Sequence, residues 1–105
     1  MGVKLDLNLH MFILFYFFFF DEIQQVAWIR HSDLNLLTVG TGTYTSDARF
    51  SATTTLLTPE EDASEMLTDW SLQIHSVRAD DEGVYECQVG TTPHINRFIY
   101  LTVVG

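Results

Sequence analysis

The chain has 105 residues, 47% of them hydrophobic, and its 14 acidic against 5 basic side chains give a formal net charge of −9. This length fits a single domain that buries its own core, and the hydrophobic content excludes disorder as the default state. The negative charge repels phosphate groups and therefore argues against nucleic acid or anionic lipid as a partner.

Residues 1–25 form an atypical hydrophobic segment, because MFILFYFFFF at residues 11–20 holds six of the eight phenylalanines. Ten apolar residues are too few for a membrane-spanning helix, which needs about 20. With Lys4 before it the run resembles a signal peptide, but Asp6 and His10 interrupt that pattern, and DEIQQ stands where a cleavage site belongs. The other interpretations are a buried strand and sequence that does not belong to the domain.

From residue 26 onward, short alternating segments predict strands, and no window keeps a helical period for long. In DWSLQIHSV, for example, Trp70, Leu72 and Ile74 share one face of a predicted strand. The predicted strand segments are 26–31, 34–40, 43–45, 49–51, 69–77, 83–89 and 97–104. Several short strands separated by turn signals predict an all-β sandwich or barrel.

Two connections between these segments are informative. Residues 76–83 predict a tight acidic turn, with room for one helical turn. Residues 53–69 are longer, and Pro59 followed by three acidic residues suits the first turn of a short helix. A mobile loop explains the same stretch equally well.

The sequence shows no pattern typical of an enzyme. Its four histidines are scattered, and a single cysteine supplies no cysteine pair for a metal site. The adjacent acids Asp80, Asp81 and Glu82 fall in a turn, where such a run is usually solvated. No nucleophile elbow or phosphate-binding glycine loop appears. We therefore predict no catalytic residue, no metal, no cofactor and no small-molecule substrate.

One motif is specific. Asp81, Gly83, Tyr85 and Cys87 spell D-x-G-x-Y-x-C, and Trp28 lies 59 positions before the cysteine. This arrangement resembles a variable-type immunoglobulin domain, an antiparallel β-sandwich of two sheets. The resemblance implies that Trp28 lies on strand C at the centre of the sandwich, with Cys87 beside it on strand F. The Tyr85 hydroxyl would bond back to the chain just upstream, forming a tyrosine corner.

The same resemblance assigns structural roles to three further residues. Gly83 fits the sharp turn between strands E and F, where a side chain would be strained. Arg49, at the start of strand D, matches the arginine that pairs with the acid at Asp81. Residues 32–48 leave room for the additional strands C′ and C″ of the variable type.

Two segments of the sequence resemble one particular family of immunoglobulin proteins. VAWIRHSDLNLLTVGTGTYTSDARF and YECQVGTTPH resemble the first immunoglobulin domain of the Dpr (defective proboscis extension response) family, over about residues 26–104. Members of that family are insect neuronal cell-surface proteins whose first domain binds Dpr-interacting proteins. The resemblance implies an extracellular recognition module on the neuronal plasma membrane, including projections and synapses. It would bind another immunoglobulin domain through its C-C′-F-G sheet.

The chain departs from the family before residue 26. Strand B should carry a second cysteine about a dozen residues before Trp28, which falls near Tyr16 in the phenylalanine run. We therefore expect residues 26–105 to form an incomplete variable-type domain, with strands A and B missing or replaced and no membrane attachment in these residues. A gene-model or splice product and a hydrophobic substitute for strand B both explain residues 1–25. We predict the substitute, with part of residues 11–20 lying against the sheets.

Without a partner, Cys87 is predicted to be a buried, inert thiol; the alternative is a reactive or intermolecular role. Strand parity then separates core from surface. The side chains predicted to point into the core are Val26, Trp28, Leu72, Ile74, Tyr85, Cys87, Val89, Leu101 and Val103. The side chains predicted to point outward and bind the partner are Ile29, His31, Leu36, Thr38, Glu86, Gln88, Phe98 and Tyr100.

Two other functions compete with this prediction. A truncated immunoglobulin fragment would have the fold but no binding activity. An immune-type domain would bind a peptide or small ligand through its loops, but the F–G stretch GTTPHINR is short and lacks tyrosine, which argues against loop binding.

Overall fold

A computed structural model describes residues 6–16, 26–57, 65–90 and 94–104, and these ranges contain eight strands and one short 3-10 helix at Ala79–Asp81. The strands are β1 (Leu7–Tyr16), β2 (Val26–Arg30), β3 (Asn35–Val39), β4 (Gly42–Thr43), β5 (Phe50–Leu56), β6 (Glu65–Ile74), β7 (Gly83–Val89) and β8 (Ile95–Leu101). No helix within these ranges is long and apolar enough to cross a membrane.

The strands form two antiparallel sheets. One has three strands in the order β1-β6-β5, and the other has five in the order β4-β3-β2-β7-β8. In variable-type terms the second sheet is C″-C′-C-F-G, and the first contains B, E and D. The predicted all-β immunoglobulin sandwich is confirmed.

Strand β1 takes the position expected for strand B. It pairs with β6 along all ten residues, from Leu7 opposite Ile74 to Tyr16 opposite Glu65. Leu9 and Met11 are buried in the core, with 7% and 5% exposure. The strand lies at 7–16, so it begins four residues before the apolar run, and residues 17–20 lie outside the described ranges.

Other boundaries differ from the prediction in small ways. β6 runs from 65 to 74 rather than from 69 to 77, because the chain turns after Ile74 and Ser76 has a φ of 52°. β6 begins earlier than predicted because it pairs with β5 in a hairpin. Near the end of this hairpin the Leu57 N–H donates to the Leu67 carbonyl at 2.8 Å. The helix considered after Pro59 falls in 58–64, outside the described residues. The predicted helical turn between β6 and β7 is confirmed by the 3-10 helix.

The core lies between the sheets and centres on Trp28, which is 1% exposed and stands directly opposite Cys87 on β7. The predicted core positions are buried, except Val103, which is half-buried against the cluster. Leu37 and Phe50 are fully buried as well, although the alternation had not assigned them to the core.

The Cys87 thiol is buried and free, as predicted. Burial raises its pKa to about 12, so at neutral pH it is protonated and shielded from reagents. We expect a disulfide reagent such as DTNB to leave the native chain unlabelled and to react fully once denaturant unfolds it. Native labelling at the denatured rate would instead indicate a reactive site.

The contribution of β1 is testable by truncating one of its buried side chains. Leu9→Ala is expected to lower the free energy of unfolding by about 2–5 kcal/mol, because it opens a cavity opposite Leu72. Asn8→Ala, at an exposed neighbouring position, is the control and is expected to cost far less. Urea denaturation measures both; equal effects would mean that β1 does not contribute to the core.

Candidate functional site: the outer face of the five-stranded sheet

The turn that leads into β7 is fixed by a tyrosine corner. The Tyr85 hydroxyl donates to the Asp81 carbonyl at 2.6 Å, as the resemblance implied. Burial raises the pKa of this phenol to about 12, so it remains a donor at neutral pH. Gly83, between the two, has a φ of +143°, where a side chain would strain the backbone. The start of β7 is therefore held in one conformation.

A buried ion pair ties this turn to β5. Two nitrogens of Arg49 donate to the two carboxylate oxygens of Asp81 at 2.7 and 2.8 Å, and Asp81 is 2% exposed. Burial raises the pKa of Asp81, but hydrogen bonds from Arg49 and from the Arg78 N–H outweigh that effect and leave the pKa lowered. The predicted Arg49–Asp81 pair is confirmed, and it is bidentate, the strongest geometry for this contact.

Removing one partner of this pair tests its role. Arg49→Met leaves the Asp81 carboxylate buried without its counter-ion and is expected to destabilise the fold by about 3–5 kcal/mol. Because the folded pKa of Asp81 is depressed, the pair stabilises the fold above the ordinary pKa of 3.8, and this contribution is lost as the pH falls through the folded value.

The Arg49→Met variant should therefore lose stability at neutral pH and show a flatter stability profile below about pH 4. Arg97→Met, which removes an exposed arginine, is the matched control. Denaturation curves at several pH values measure the difference, and parallel profiles for both variants would contradict the assigned role.

The outer face of the five-stranded sheet points away from the core. The register aligns Leu36, Ile29, Glu86 and Phe98 in one row across β3, β2, β7 and β8, which we call the central row. On one side of it Ala27, Gln88 and Asn96 form a second row. On the other side Val84 lies opposite Tyr100. The outward positions predicted for these strands are thus brought onto one surface, apart from Thr38.

Several apolar side chains on this surface are open to solvent. Phe98 is 59% exposed, Tyr100 67% and Leu36 39%, while Ile29 is half-buried between its neighbours. Large apolar side chains grouped on one face are unfavourable in water and typical of an interaction surface.

The outward placement predicted for Thr38 is wrong. A bulge interrupts the β2–β3 register between Trp28 and Ile29, so that Thr38 faces Trp28 while Leu36 faces Ile29. Leu37 is the additional residue, and both Leu37 and Thr38 are fully buried. Strict alternation cannot anticipate this, because a bulge changes the parity of one strand only. Among the described residues, the Thr38 Oγ1 has no hydrogen-bond partner.

Glu86 faces outward as predicted but is 6% exposed, because neighbouring polar side chains cover it. His31 Nε2 lies 2.7 Å from its Oε1, and Gln88 Nε2 donates to its Oε2 at 3.2 Å. Asn96 Nδ2 donates to Oε2 as well. Burial raises the pKa of Glu86, but the hydrogen bonds from His31, Gln88 and Asn96 outweigh it, and the net pKa is lowered. The carboxylate is therefore ionised at neutral pH.

His31 connects this polar cluster to the apolar part of the face. Its ring meets the Phe98 ring edge-on, with centroids 5.4 Å apart and an interplanar angle of 67°. Its backbone N–H donates to the Val84 carbonyl at 2.9 Å. The following turn is held by Arg30, whose guanidinium donates to both carboxylate oxygens of Asp33 at 3.1 and 2.9 Å. The His31 ring is therefore preorganised against Glu86.

Asn96 is the member of the cluster that the sequence prediction missed. It pairs with Gln88 across β7 and β8 and so reaches the same carboxylate oxygen. The sequence contained a signal for Asn96. In a strand that begins at Ile95, the period-two pattern places Asn96, Phe98 and Tyr100 on one face.

Comparison with known proteins agrees with this architecture. The family described as the immunoglobulin V-set domain matches residues 20–103. The chain belongs to the V-set family. Domains of this family are binding modules, and the outer face described above is formed by the V-set strands C, C′, F and G.

One curated protein matches the chain at low sequence identity. Zwei Ig domain protein zig-8 of Caenorhabditis elegans is 27% identical over 84 residues, which is 80% of this chain and 28% of that protein. The chain thus spans little more than a quarter of this curated relative.

Two solved structures are also similar. A chain in the crystal structure of Dpr1 IG1 bound to DIP-eta IG1 is 33% identical, with a TM-score of 0.62 and coverage of 96% of this chain and 82% of that one. The ZIG-8 IG1 homodimer gives 26% identity and a TM-score of 0.69, with coverage of 94% and 71%.

Proposed function

We propose that this chain is an extracellular recognition module that binds another immunoglobulin-superfamily domain through the outer face of its five-stranded sheet. The observation that carries the proposal is the grouping of exposed Leu36, Phe98 and Tyr100 around a covered carboxylate on one face. The setting would be neuronal cell-cell recognition and synaptic specificity at the cell surface.

The chemistry of the face suits a protein partner. Apolar burial contributes about 25 cal/mol per Å², so Phe98 and Tyr100 would gain stability by entering an interface. Aromatic anchors surrounded by satisfied polar groups are typical of such contacts. The internal hydrogen bonds of Glu86 mean that its polar neighbours need few new partners when water leaves.

The relatives support the kind of partner. The similar solved chains come from first immunoglobulin domains, in complexes of Dpr1 with DIP-eta and of Dpr11 with DIP-gamma, and in a homodimer of ZIG-8. By similarity, the partner of this chain would be a cell-surface protein of the Dpr-interacting type, and the chain itself would act in the manner of a Dpr first domain.

A charge placed in the central row tests the proposal. Ile29→Asp is expected to weaken partner binding at least about 100-fold, because it buries an unpaired carboxylate next to Glu86. Surface plasmon resonance against the first immunoglobulin domains of DIP-eta and DIP-gamma measures the effect. The control is Thr55→Asp, which adds the same charge at an exposed position of the other sheet.

Circular dichroism of both variants establishes that they keep the fold. If binding survives Ile29→Asp and is lost instead in His94→Asp, at the β7–β8 loop, the binding surface is that loop and the proposal is wrong.

A further inference from the structure

We propose that Glu86 is a selectivity element: it opposes pairing of this face with a second copy of the chain and favours a partner domain that brings a lysine or arginine to the same point. This inference rests on the proposed function, since it concerns the partner chosen by that face. It follows from the position of Glu86, its charge and its hydrogen bonds.

Glu86 lies in the interior of the central row, with Ile29 on one side and Phe98 on the other. A domain that covers Ile29 and Phe98 therefore also covers Glu86. At 6% exposure the carboxylate has already lost most of its water, and docking would remove the remainder. The partner thus meets a charge that has little solvent left to screen it.

The charge of Glu86 has no counter-ion within its hydrogen-bonded cluster when His31 is neutral. Glu86 has three hydrogen-bond partners in the described part of the chain. Two of them are neutral amides, the side chains of Gln88 and Asn96. The third, His31, donates through Nε2 in its neutral form and carries a charge only when protonated. Arg30, the last residue of β2 and the neighbour of His31 in the sequence, is paired with Asp33. The cluster around Glu86 therefore enters an interface with one negative charge whenever His31 is neutral.

The carboxylate also keeps hydrogen-bonding capacity. A carboxylate offers about four acceptor positions. Oε2 accepts from Gln88 and Asn96, whereas Oε1 has His31 as its partner among the described residues. A lysine or arginine of the partner would use the remaining position on Oε1 and neutralise the charge with one contact. A neutral donor would fill the position but leave the charge.

A second copy of the chain presents the opposite situation. In a two-fold symmetric dimer over this face, the residue nearest the axis meets its own counterpart. Because Glu86 occupies the interior of the central row, two dehydrated carboxylates would approach each other. Like charges in contact disfavour such a pairing strongly, and the net charge of −9 on each chain adds a longer-range repulsion.

Self-association of the full chain tests the first half of the proposal. In sedimentation equilibrium at pH 7.5, Glu86→Gln is expected to dimerise at least about tenfold more tightly than the wild type, since the amide removes the charge and keeps the shape. Asp80→Asn is the matched control: it removes one exposed carboxylate from a turn away from the face.

Salt separates the local effect from the overall charge. The long-range repulsion is screened in about 0.5 M NaCl, whereas contact between dehydrated carboxylates is screened much less. The difference between Glu86→Gln and the wild type is therefore expected to persist in high salt. The double variant Ile29→Asp with Glu86→Gln should be monomeric, because the dimer uses the same face. Equal self-association of the wild type and Glu86→Gln overturns the proposal.

Partner binding tests the second half. For the tighter binder of the DIP-eta and DIP-gamma first domains, Glu86→Gln is expected to weaken binding at least about tenfold, and Asp80→Asn to leave it unchanged. If Ile29→Asp abolishes binding while Glu86→Gln has no effect, the selectivity role fails and the proposed function stands. If Ile29→Asp has no effect, the proposed function itself fails.

Discussion

The contact between Trp28 and Cys87 across β2 and β7 decides what the five-stranded sheet presents to its surroundings. Both side chains point into the core, with exposures of 1% and 0%. Since successive side chains of a strand alternate, this pair directs the adjacent Ile29 and Glu86 to the outer face. A slip of one residue would bring Glu86 into the core and Cys87 to the surface. Burial of one tryptophan thus fixes both the stability of the sandwich and the composition of its candidate binding surface.

The domain keeps this contact without the inter-sheet disulfide that normally accompanies it. In the chain-entropy model a bridge closing about 70 residues stabilises a domain by roughly 4 kcal/mol. Among the described side chains of strand β1, Leu9 and Met11 are buried and apolar. At about 1.5–3 kcal/mol for each buried side chain, their contribution is of the same order as the missing bridge. Hydrophobic packing of β1 therefore contributes a stabilisation of similar size, although it does not restrict the unfolded chain as a disulfide would.

The sequence was sufficient where the resemblance to variable-type immunoglobulin domains rested on a specific motif. That resemblance implied the tyrosine corner of Tyr85, the Arg49–Asp81 pair and a turn at Gly83 that a side chain would strain, and the structure contains all three. Prediction failed where two strands had to be aligned. Thr38 is buried because the β2–β3 bulge changes parity, and nothing in NLLTV marks which residue is additional.

The burial of Glu86 by its polar neighbours was likewise not predictable from the sequence of one strand. It depends on the β7–β8 register, which brings Asn96 to the same oxygen as Gln88, and on the conformation of the turn after Arg30, which directs His31 back over β7. Alternation gives the face of a side chain but not its exposure. The shift of β1 to 7–16 has a similar origin: pairing with β6 added the alternating Leu7 and Leu9 to a strand expected from the phenylalanine run alone.

The two outer faces of the sandwich differ in a way that bears on function. On the three-stranded sheet, some of the described outward residues pair with one another: His10 Nδ1 lies 2.9 Å from an oxygen of Asp69, and the Thr53 and Ser71 hydroxyls are 2.9 Å apart. Such polar cross-strand pairs are compatible with water and gain little from a partner. On the five-stranded sheet the polar groups are gathered around Glu86, and the aromatic rings of Phe98 and Tyr100 are left to the solvent. Among the described strand residues, the exposed aromatic rings thus lie on the five-stranded sheet, and the charge beneath them determines which partner can exclude water from them.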